Sequence, residues 1–187
     1  YEECPYDYFF TKTGSIWGWA TWRRVTDTWQ EHYDALDDPY VRAKLLEHAD
    51  ERYFHNSVLA VSEAHRATGR AHYESINGLN QHLYSRLNIV PRMNMISNIG
   101  IAAESTHAVS DLRLLPKSVR GVMFMQTHEL TFPLKEPPYV MEDVAYRKKL
   151  DRIFGSYPGG QLWLRIQRVA LRLRYGDFRG LRKKLKR

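Results

Sequence analysis

The chain contains three tryptophans within six residues, in the segment Trp17-Gly18-Trp19-Ala20-Thr21-Trp22. Packing rarely needs tryptophan at this density, and a glycine between two indoles lets a ligand approach the backbone. Flat indole faces beside a glycine suit the apolar face of a sugar ring. The residue types alone leave two interpretations open, which are contact with a ligand and burial in the core.

A polar segment follows the short apolar run that ends at Pro91. Polar side chains at the carboxyl end of a strand are where open α/β sheets bind ligands. A surface loop held by Asn and Ser/Thr turn bonds has the same composition, and taken alone the composition favours that loop. The segment contains Asn94, Ser97, Asn98, Gly100, Glu104, Ser105, Thr106 and His107.

Several common catalytic motifs are missing from the sequence, namely GxxxxGK[ST], GxGxxG, HExxH and GxSxG. Their absence argues against a phosphate-binding loop of those types, a zinc protease and a serine hydrolase. The single cysteine, Cys4, has no second thiol for an intrachain disulfide or a cysteine metal site. Most of the eight histidines fall in predicted helices between charged neighbours, where surface or capping positions are the commoner interpretation.

The positive charge is concentrated at one end of the chain. Residues 161–187 hold ten basic side chains and one acid, whereas the other 160 residues hold 18 basic and 20 acidic groups. Leu162, Ile166, Val169 and Leu173 recur at helical spacing, with Trp163 and Ala170 flanking them.

Such a helix can lie in a bilayer interface with its apolar face down and its cations among anionic headgroups. The alternative is a last helix packed on its own domain. Nucleic-acid binding is the weaker interpretation, because the body of the chain has no basic face or recognition motif. The residues predicted to contact the membrane are Trp163, Arg165, Arg168, Arg172, Lys183 and Lys184.

Periodicity and turn residues predict the elements that must position these groups. We expect an α+β arrangement with two parts, residues 1–156 and a basic tail over 157–187. The pattern favours either a strand or an extended loop at 93–99. The other predicted elements are strands at 8–11, 87–90 and 121–125, and helices starting at Asp38-Pro39 and covering 51–67, 75–86, 142–154 and the tail.

Four blocks in the same order resemble a family of bacterial nucleotide-sugar glycosyltransferases of hemolysin type or family-2 type. The first runs from Tyr8-Phe9-Phe10-Thr11-Lys12 into Ile16-Trp17-Gly18-Trp19-Ala20-Thr21-Trp22-Arg23-Arg24. The second is Ile89-Val90-Pro91-Arg92-Met93-Asn94-Met95-Ile96-Ser97-Asn98-Ile99-Gly100. Ser105-Thr106-His107 and Phe132-Pro133-Leu134-Lys135 are similar to the third and fourth.

The resemblance implies the α/β GT-A fold, in which a nucleotide-binding half with an Asp-x-Asp motif precedes an acceptor-binding half. The sequence contains no Asp-x-Asp and opens on Tyr1, so we expect it to be the acceptor-binding piece of a longer protein, inactive on its own.

The resemblance also implies residue roles. Glu74 corresponds to an acid of the family and would be the general base, although a solvated or helix-capping Glu74 is the alternative. His107 would bind a divalent metal, Mn or Mg, in the full-length enzyme. The acceptor would contact Trp17, Gly18, Trp19, Thr21, Trp22, Asn98 and Thr106.

The predicted function is therefore transfer of a sugar from a nucleotide-sugar donor to a cell-surface polysaccharide or a lipid-linked acceptor. The donor would bind through the half that this sequence lacks, and the protein would act at the cytoplasmic face of the cell membrane. The alternatives are a non-catalytic glycan-binding or remnant subunit and a basic adaptor that binds nucleic acid.

Overall fold

A computed structural model describes residues 1–14, 18–47, 52–97, 112–123 and 125–178. Within these ranges a two-stranded sheet is accompanied by helices, so the expectation of an α+β arrangement is confirmed at that level. The strands are β1 (Tyr8–Thr11) and β2 (Asn88–Pro91). The helices are α1 (Arg23–Thr26), α2 (Pro39–Glu47), α3 (Arg52–Arg66), α4 (Tyr73–Leu83), α5 (Lys117–Met123), α6 (Val144–Phe154) and α7 (Gly160–Arg174), with 3-10 turns at Asp34–Asp37 and Leu112–Leu114.

The start of α2 follows from its capping residue, as the sequence predicts. The carboxylate Oδ1 of Asp38 accepts a hydrogen bond from the Tyr40 backbone N at 2.8 Å. Pro39 occupies the first helical position, where its missing N–H leaves no helix bond unmade. The predicted helices at 51–67 and 142–154 are likewise confirmed, as α3 and α6.

Helix α4 forms although Asn77-Gly78 is a poor helix-forming pair. Ile76 and Leu79 on either side of this pair are 1% and 2% exposed, so core packing outweighs the local propensity. The helix begins two residues earlier than the predicted 75–86 and ends three residues earlier.

The predicted strand at 121–125 is wrong, because residues 117–123 form α5. Pro116 precedes this helix and its carbonyl accepts the Arg120 N–H at 3.0 Å. Val119, in the first turn of this helix, is buried. The apolar contact of the segment is therefore made before the run at 121–125 that resembles a strand. Residues 93–97 are irregular, as in the extended-loop alternative; residues 98–99 lie outside the described ranges.

The chain divides into two compact units. Unit 1 comprises residues 1–9, 91–139 and 143–187, and unit 2 comprises 10–90 and 140–142. The predicted tail, 157–187, is thus part of unit 1 in this division.

Unit 2 is built on the packing of α3 against α2 and α4. Its core residues are Tyr33, Leu36, Leu45, Leu59, Ile76 and Leu79. Partly buried Trp29, Val41, Val58 and Leu83 pack against them.

Unit 1 is built around α6, which packs against α5 and α7. The rings of Phe9 and Tyr146 lie 4.6 Å apart, and Tyr1 lies 5.2 Å from each of them. Helix α7 inserts Leu164, which is 4% exposed, and also contacts the 3-10 turn at 112–114.

The strands β1 and β2 pair in opposite directions. The Arg92 backbone N donates to the Asp7 carbonyl at 2.8 Å, and the Asn88 side-chain amide donates to the Lys12 carbonyl at 3.4 Å. Because the higher-numbered residue of one strand meets the lower-numbered residue of the other, the pair is antiparallel. No helix in the described part of the chain is long and apolar enough to span a membrane.

Candidate functional site

The tryptophan-rich segment lies largely on the surface of unit 2. Gly18 adopts a left-handed conformation with φ of 58°, which a glycine tolerates without steric cost. Trp19 is 40% exposed and Trp22 is 52% exposed, while Thr21 is half-buried. Trp17 lies outside the described residues. The exposure of both described indoles shows that neither is buried in the core.

Trp22 also has a cationic neighbour. The guanidinium of Arg24 lies 4.7 Å from the centre of the indole ring, within the range of a cation–π contact. Trp22 precedes α1, and its carbonyl accepts the Val25 N–H at 2.8 Å. The backbone of Trp22 therefore forms the start of a short helix, and its indole ring has one basic group beside it.

Trp19, Trp29 and Tyr73 form a continuous row of rings, which we name the aromatic row. The centre of the Trp29 ring lies 6.2 Å from that of Trp19 and 5.6 Å from that of Tyr73. The ring planes are tilted by 35° and 31°, and both centre-to-centre distances are within the range of aromatic contacts. Trp29 packs on the core of unit 2, whereas Trp19 and Tyr73 at the two ends are exposed.

Glu74 directly follows Tyr73 in the first turn of α4 and is exposed. A carboxylate at this position interacts favourably with the amino end of the helix, which is the structural alternative for its presence. The structure nevertheless places the candidate base one residue from the end of the aromatic row. The contacts of Trp29 thus bring Trp19 and Tyr73, the residue before the candidate base, into one row of rings.

Hydrogen bonds fix the first turn of α4, which carries Tyr73 and Glu74. Ser75 Oγ lies 2.7 Å from Tyr33 Oη and 2.8 Å from His65 Nδ1. The ring of His65 stacks on that of His72 at 3.9 Å between ring centres. Because Ser75 and Tyr33 are buried, these bonds attach the start of α4 to the core of unit 2. Tyr73 and Glu74, which precede Ser75, are exposed.

A second network holds the backbone next to Trp29. Asn80, which is 2% exposed, donates from Nδ2 to the Thr28 carbonyl at 2.8 Å. Arg86 donates to Thr28 Oγ1, also at 2.8 Å. Since Thr28 directly precedes Trp29, these bonds tie the backbone next to the middle ring to α4 and to the segment that follows it.

The predicted metal and loop residues are not placed by the structure. His107, Asn98 and Thr106 lie outside the described residues. Within the described ranges no group of three or more His, Cys, Asp or Glu side chains could hold a metal ion. The expected Mn or Mg site at His107 therefore stays a prediction.

Asn94 fixes the backbone that leads toward residue 98. Its Nδ2 donates to the Ile96 carbonyl at 2.7 Å and to the Met125 carbonyl at 3.2 Å. The His128 backbone N returns a bond to the Asn94 carbonyl at 2.8 Å. This asparagine thus acts as a loop-holding residue, as turn-forming asparagines commonly do.

The predicted membrane residues differ in their positions on α7. Trp163 is 53% exposed and Arg165 is exposed. Arg168 is half-buried, and Arg172 donates to Asp177 Oδ2 at 2.5 Å. Lys183 and Lys184 lie outside the described residues.

Sequence reasoning missed two members of the aromatic row, Trp29 and Tyr73. Trp29 follows the conspicuous tryptophan segment by several residues, and Tyr73 carries one signal only, its position directly before Glu74. Their proximity to Trp19 is a tertiary contact, which no local pattern encodes.

The chain has no significant match to a protein-family model, to a curated protein sequence or to a solved structure.

Proposed function

We propose that this chain is the acceptor-binding half of a GT-A glycosyltransferase, which extends a cell-surface polysaccharide or a lipid-linked glycan. The observation that carries the proposal is the aromatic row, whose member Tyr73 is followed directly by Glu74 in the first turn of α4. In this proposal, exposed Trp19 and Tyr73 offer aromatic faces for the C–H side of a sugar ring, and Glu74, the residue after Tyr73, supplies the carboxylate that accepts a proton.

In the proposed reaction, Glu74 removes the proton from the attacking hydroxyl of the acceptor. The hydroxyl oxygen forms a bond to the anomeric carbon of the donor sugar as the bond from that carbon to the diphosphate breaks. The proton ends on Glu74 and the electron pair leaves with the diphosphate. A single displacement of this kind inverts the anomeric configuration.

Donor binding belongs to other parts of the intact enzyme in this proposal. The sequence has no Asp-x-Asp, and the described residues contain no fitting donor set for the divalent metal. The metal, with His107 as a ligand, remains part of the proposal for the full-length enzyme.

The first test is sugar binding by the aromatic row, measured by saturation-transfer NMR with a panel of bacterial surface oligosaccharides. Trp19→Ala should weaken binding about tenfold, because stacking on one aromatic ring contributes about 1 kcal/mol or more. Trp163→Ala is the matched control, since Trp163 is also about half exposed but lies on α7 in unit 1. Equal loss in both variants, or no sugar binding by the parent protein, contradicts the proposal.

The second test separates catalysis from binding alone. In the intact enzyme, Glu74→Gln should lower kcat by a factor of about 10² to 10⁴ with sugar binding retained, as expected for loss of a general base. Glu129→Gln, an exposed carboxylate of unit 1, should leave kcat unchanged. If the chain binds sugar but Glu74→Gln does not alter turnover, the non-catalytic glycan-binding alternative is the better description.

A further inference from the structure

Helix α7 is apolar on two opposite faces, of which unit 1 covers only one. Gly160 and Leu164 are buried, and Leu171 on the same side is half-buried. On the other side Leu162, Ile166, Val169 and Leu173 are 62%, 50%, 45% and 54% exposed. At about 100° per residue these four side chains fall within about 60° of arc, centred nearly opposite Leu164. We name these four residues the outer stripe.

Single exposed apolar residues are common on protein surfaces, but the outer stripe is a continuous set of them. Its residues continue over the length of a 15-residue helix. Trp163, 53% exposed, borders the stripe near its amino end, and indole rings favour the boundary between water and acyl chains. The helix is therefore amphipathic toward solvent as well as toward its own unit.

The charges around the outer stripe are all of one sign. Helix α7 contains four arginines and no acid. Arg165 and Arg174 are exposed on either side of the stripe, where long side chains can lie along an apolar surface and direct the guanidinium outward. Residues 161–187 together hold ten basic side chains and one acid, Asp177, which accepts a bond from Arg172.

This charge distribution discriminates between possible occupants. A second copy of the chain packed symmetrically on the stripe would bring two strongly basic segments together, and that repulsion opposes dimerisation. An anionic lipid surface instead accepts the apolar side chains and attracts the arginines around them. The helix is about 22 Å long and too short to span a bilayer, so it would lie in the plane of the interface.

We propose that the outer stripe is a membrane-docking face, which binds anionic bilayers with Leu162, Trp163, Ile166, Val169 and Leu173 among the acyl chains. Arg165 and Arg174 contact the lipid headgroups. Arg172, by contrast, is held by Asp177 and acts within the protein. The docking face is independent of the aromatic row, which lies in unit 2.

The test is co-sedimentation of the full chain with vesicles of phosphatidylcholine, alone or with 30% phosphatidylglycerol. Ile166→Gln should reduce partitioning onto the anionic vesicles about tenfold, because it removes an apolar side chain without changing the net charge. Leu46→Gln on α2 is the matched control, since Leu46 has nearly the same exposure, 52%, and should bind as the parent does. Circular dichroism confirms that both variants fold.

The charge contribution is tested separately. Arg165→Gln should weaken binding to the anionic vesicles about fivefold, because a basic residue at an anionic surface contributes about 1 kcal/mol. It should not alter binding to pure phosphatidylcholine. Brominated lipids should quench part of the tryptophan fluorescence, and Trp163→Phe should abolish that quenching.

Three results would overturn the proposal. The first is equal partitioning of Ile166→Gln and the parent protein. The second is equal binding to neutral and anionic vesicles. The third is self-association that Ile166→Gln abolishes, without vesicle binding, which would assign the outer stripe to a second copy. Sugar binding by Trp19 is unaffected by any of these results, so the two proposals fail separately.

Discussion

The pKa of the Tyr1 side chain depends on the residues that surround it. Its hydroxyl donates to Asp143 Oδ1 at 3.1 Å, and its ring packs against Phe9 and Tyr146. Burial and the hydrogen bond to Asp143 raise the pKa of Tyr1 to about 12. Burial also raises the pKa of Tyr146. The folded state thus favours the neutral phenol.

This shift predicts alkaline destabilisation. Between pH 10 and 12 the unfolded chain loses the Tyr1 proton while the folded chain retains it, so the free energy of unfolding falls as pH rises. Tyr1→Phe should be about 1 kcal/mol less stable at pH 7, from the lost bond to Asp143, and should lose less stability from pH 8 to 11.5. Thermal melts by circular dichroism measure both, with exposed Tyr40→Phe as the control. Identical alkaline slopes in the two variants would refute this account.

At the residue scale the candidate site could be predicted only in part. The tryptophan density identified Trp19 and Trp22, both of which are exposed. The contact of Trp29 with Trp19 and Tyr73 could not be predicted, because it depends on how the segment around Trp29 packs against the start of α4. Glu74 came from the family resemblance, and its role stays a prediction.

The connection between α6 and α7 depends on three glycines in six residues. Gly155 ends α6 at φ of 72°, and Gly159 precedes α7 at φ of 76°. A Cβ on Gly155 would lie 2.9 Å from the Gly160 carbonyl carbon and 2.8 Å from Leu164 Cδ1. A Cβ on Gly159 would have nothing within 4 Å. The two positions share a left-handed backbone conformation but differ in the space available for a Cβ.

Gly155→Ala should therefore destabilise the protein more than Gly159→Ala. We expect about 1 kcal/mol for Gly159→Ala, from the left-handed backbone alone, and about 3 kcal/mol or more for Gly155→Ala, because α7 must also move. Urea denaturation followed by circular dichroism measures the difference. Equal losses would mean that backbone conformation alone determines the cost.

At the element scale the sequence predicted most of what the structure contains. Asp38-Pro39 marks the start of a helix in both, and the helices predicted at 51–67 and 142–154 are present as α3 and α6. The error at 121–125 arose because a short apolar run has no periodicity that separates a strand from a helix. The two apolar faces of α7 could not be predicted either. The spacing showed one apolar stripe, but it did not show which face of the helix unit 1 would cover.

At the scale of the whole molecule, each unit has its own buried centre. The core of unit 2 draws on the 3-10 turn at 34–37, α2, α3 and α4, so its stability rests on contacts among neighbouring segments. Leu45 and Leu46 are adjacent residues on α2. Leu45 is 6% exposed and belongs to the core, whereas Leu46 is 52% exposed and lies on the surface.

Leu45→Ala should lower the free energy of unfolding by about 2 to 5 kcal/mol, because it leaves a cavity in the core of unit 2. Leu46→Ala, the same chemical change one residue later, should cost less than about 1 kcal/mol. Urea denaturation of the two variants tests the boundary of the core directly. Similar losses would show that α2 packs differently from this description.

The buried core residues of unit 2 all lie within residues 33–79, whereas unit 1 has hydrogen bonds between segments that are far apart along the chain. Tyr1 bonds to Asp143 across 142 residues, and Asp7 to Lys135 across 128. A ribosome adding about 5 to 20 residues per second needs of the order of 10 s to supply those partners. Throughout that interval residues 1–9, including Phe9, have no completed unit to join, whereas residues 10–90 can already pack. The core of unit 2 should therefore form first on the ribosome, and residues 1–9 wait longest for their partners, which gives a chaperone time to bind them.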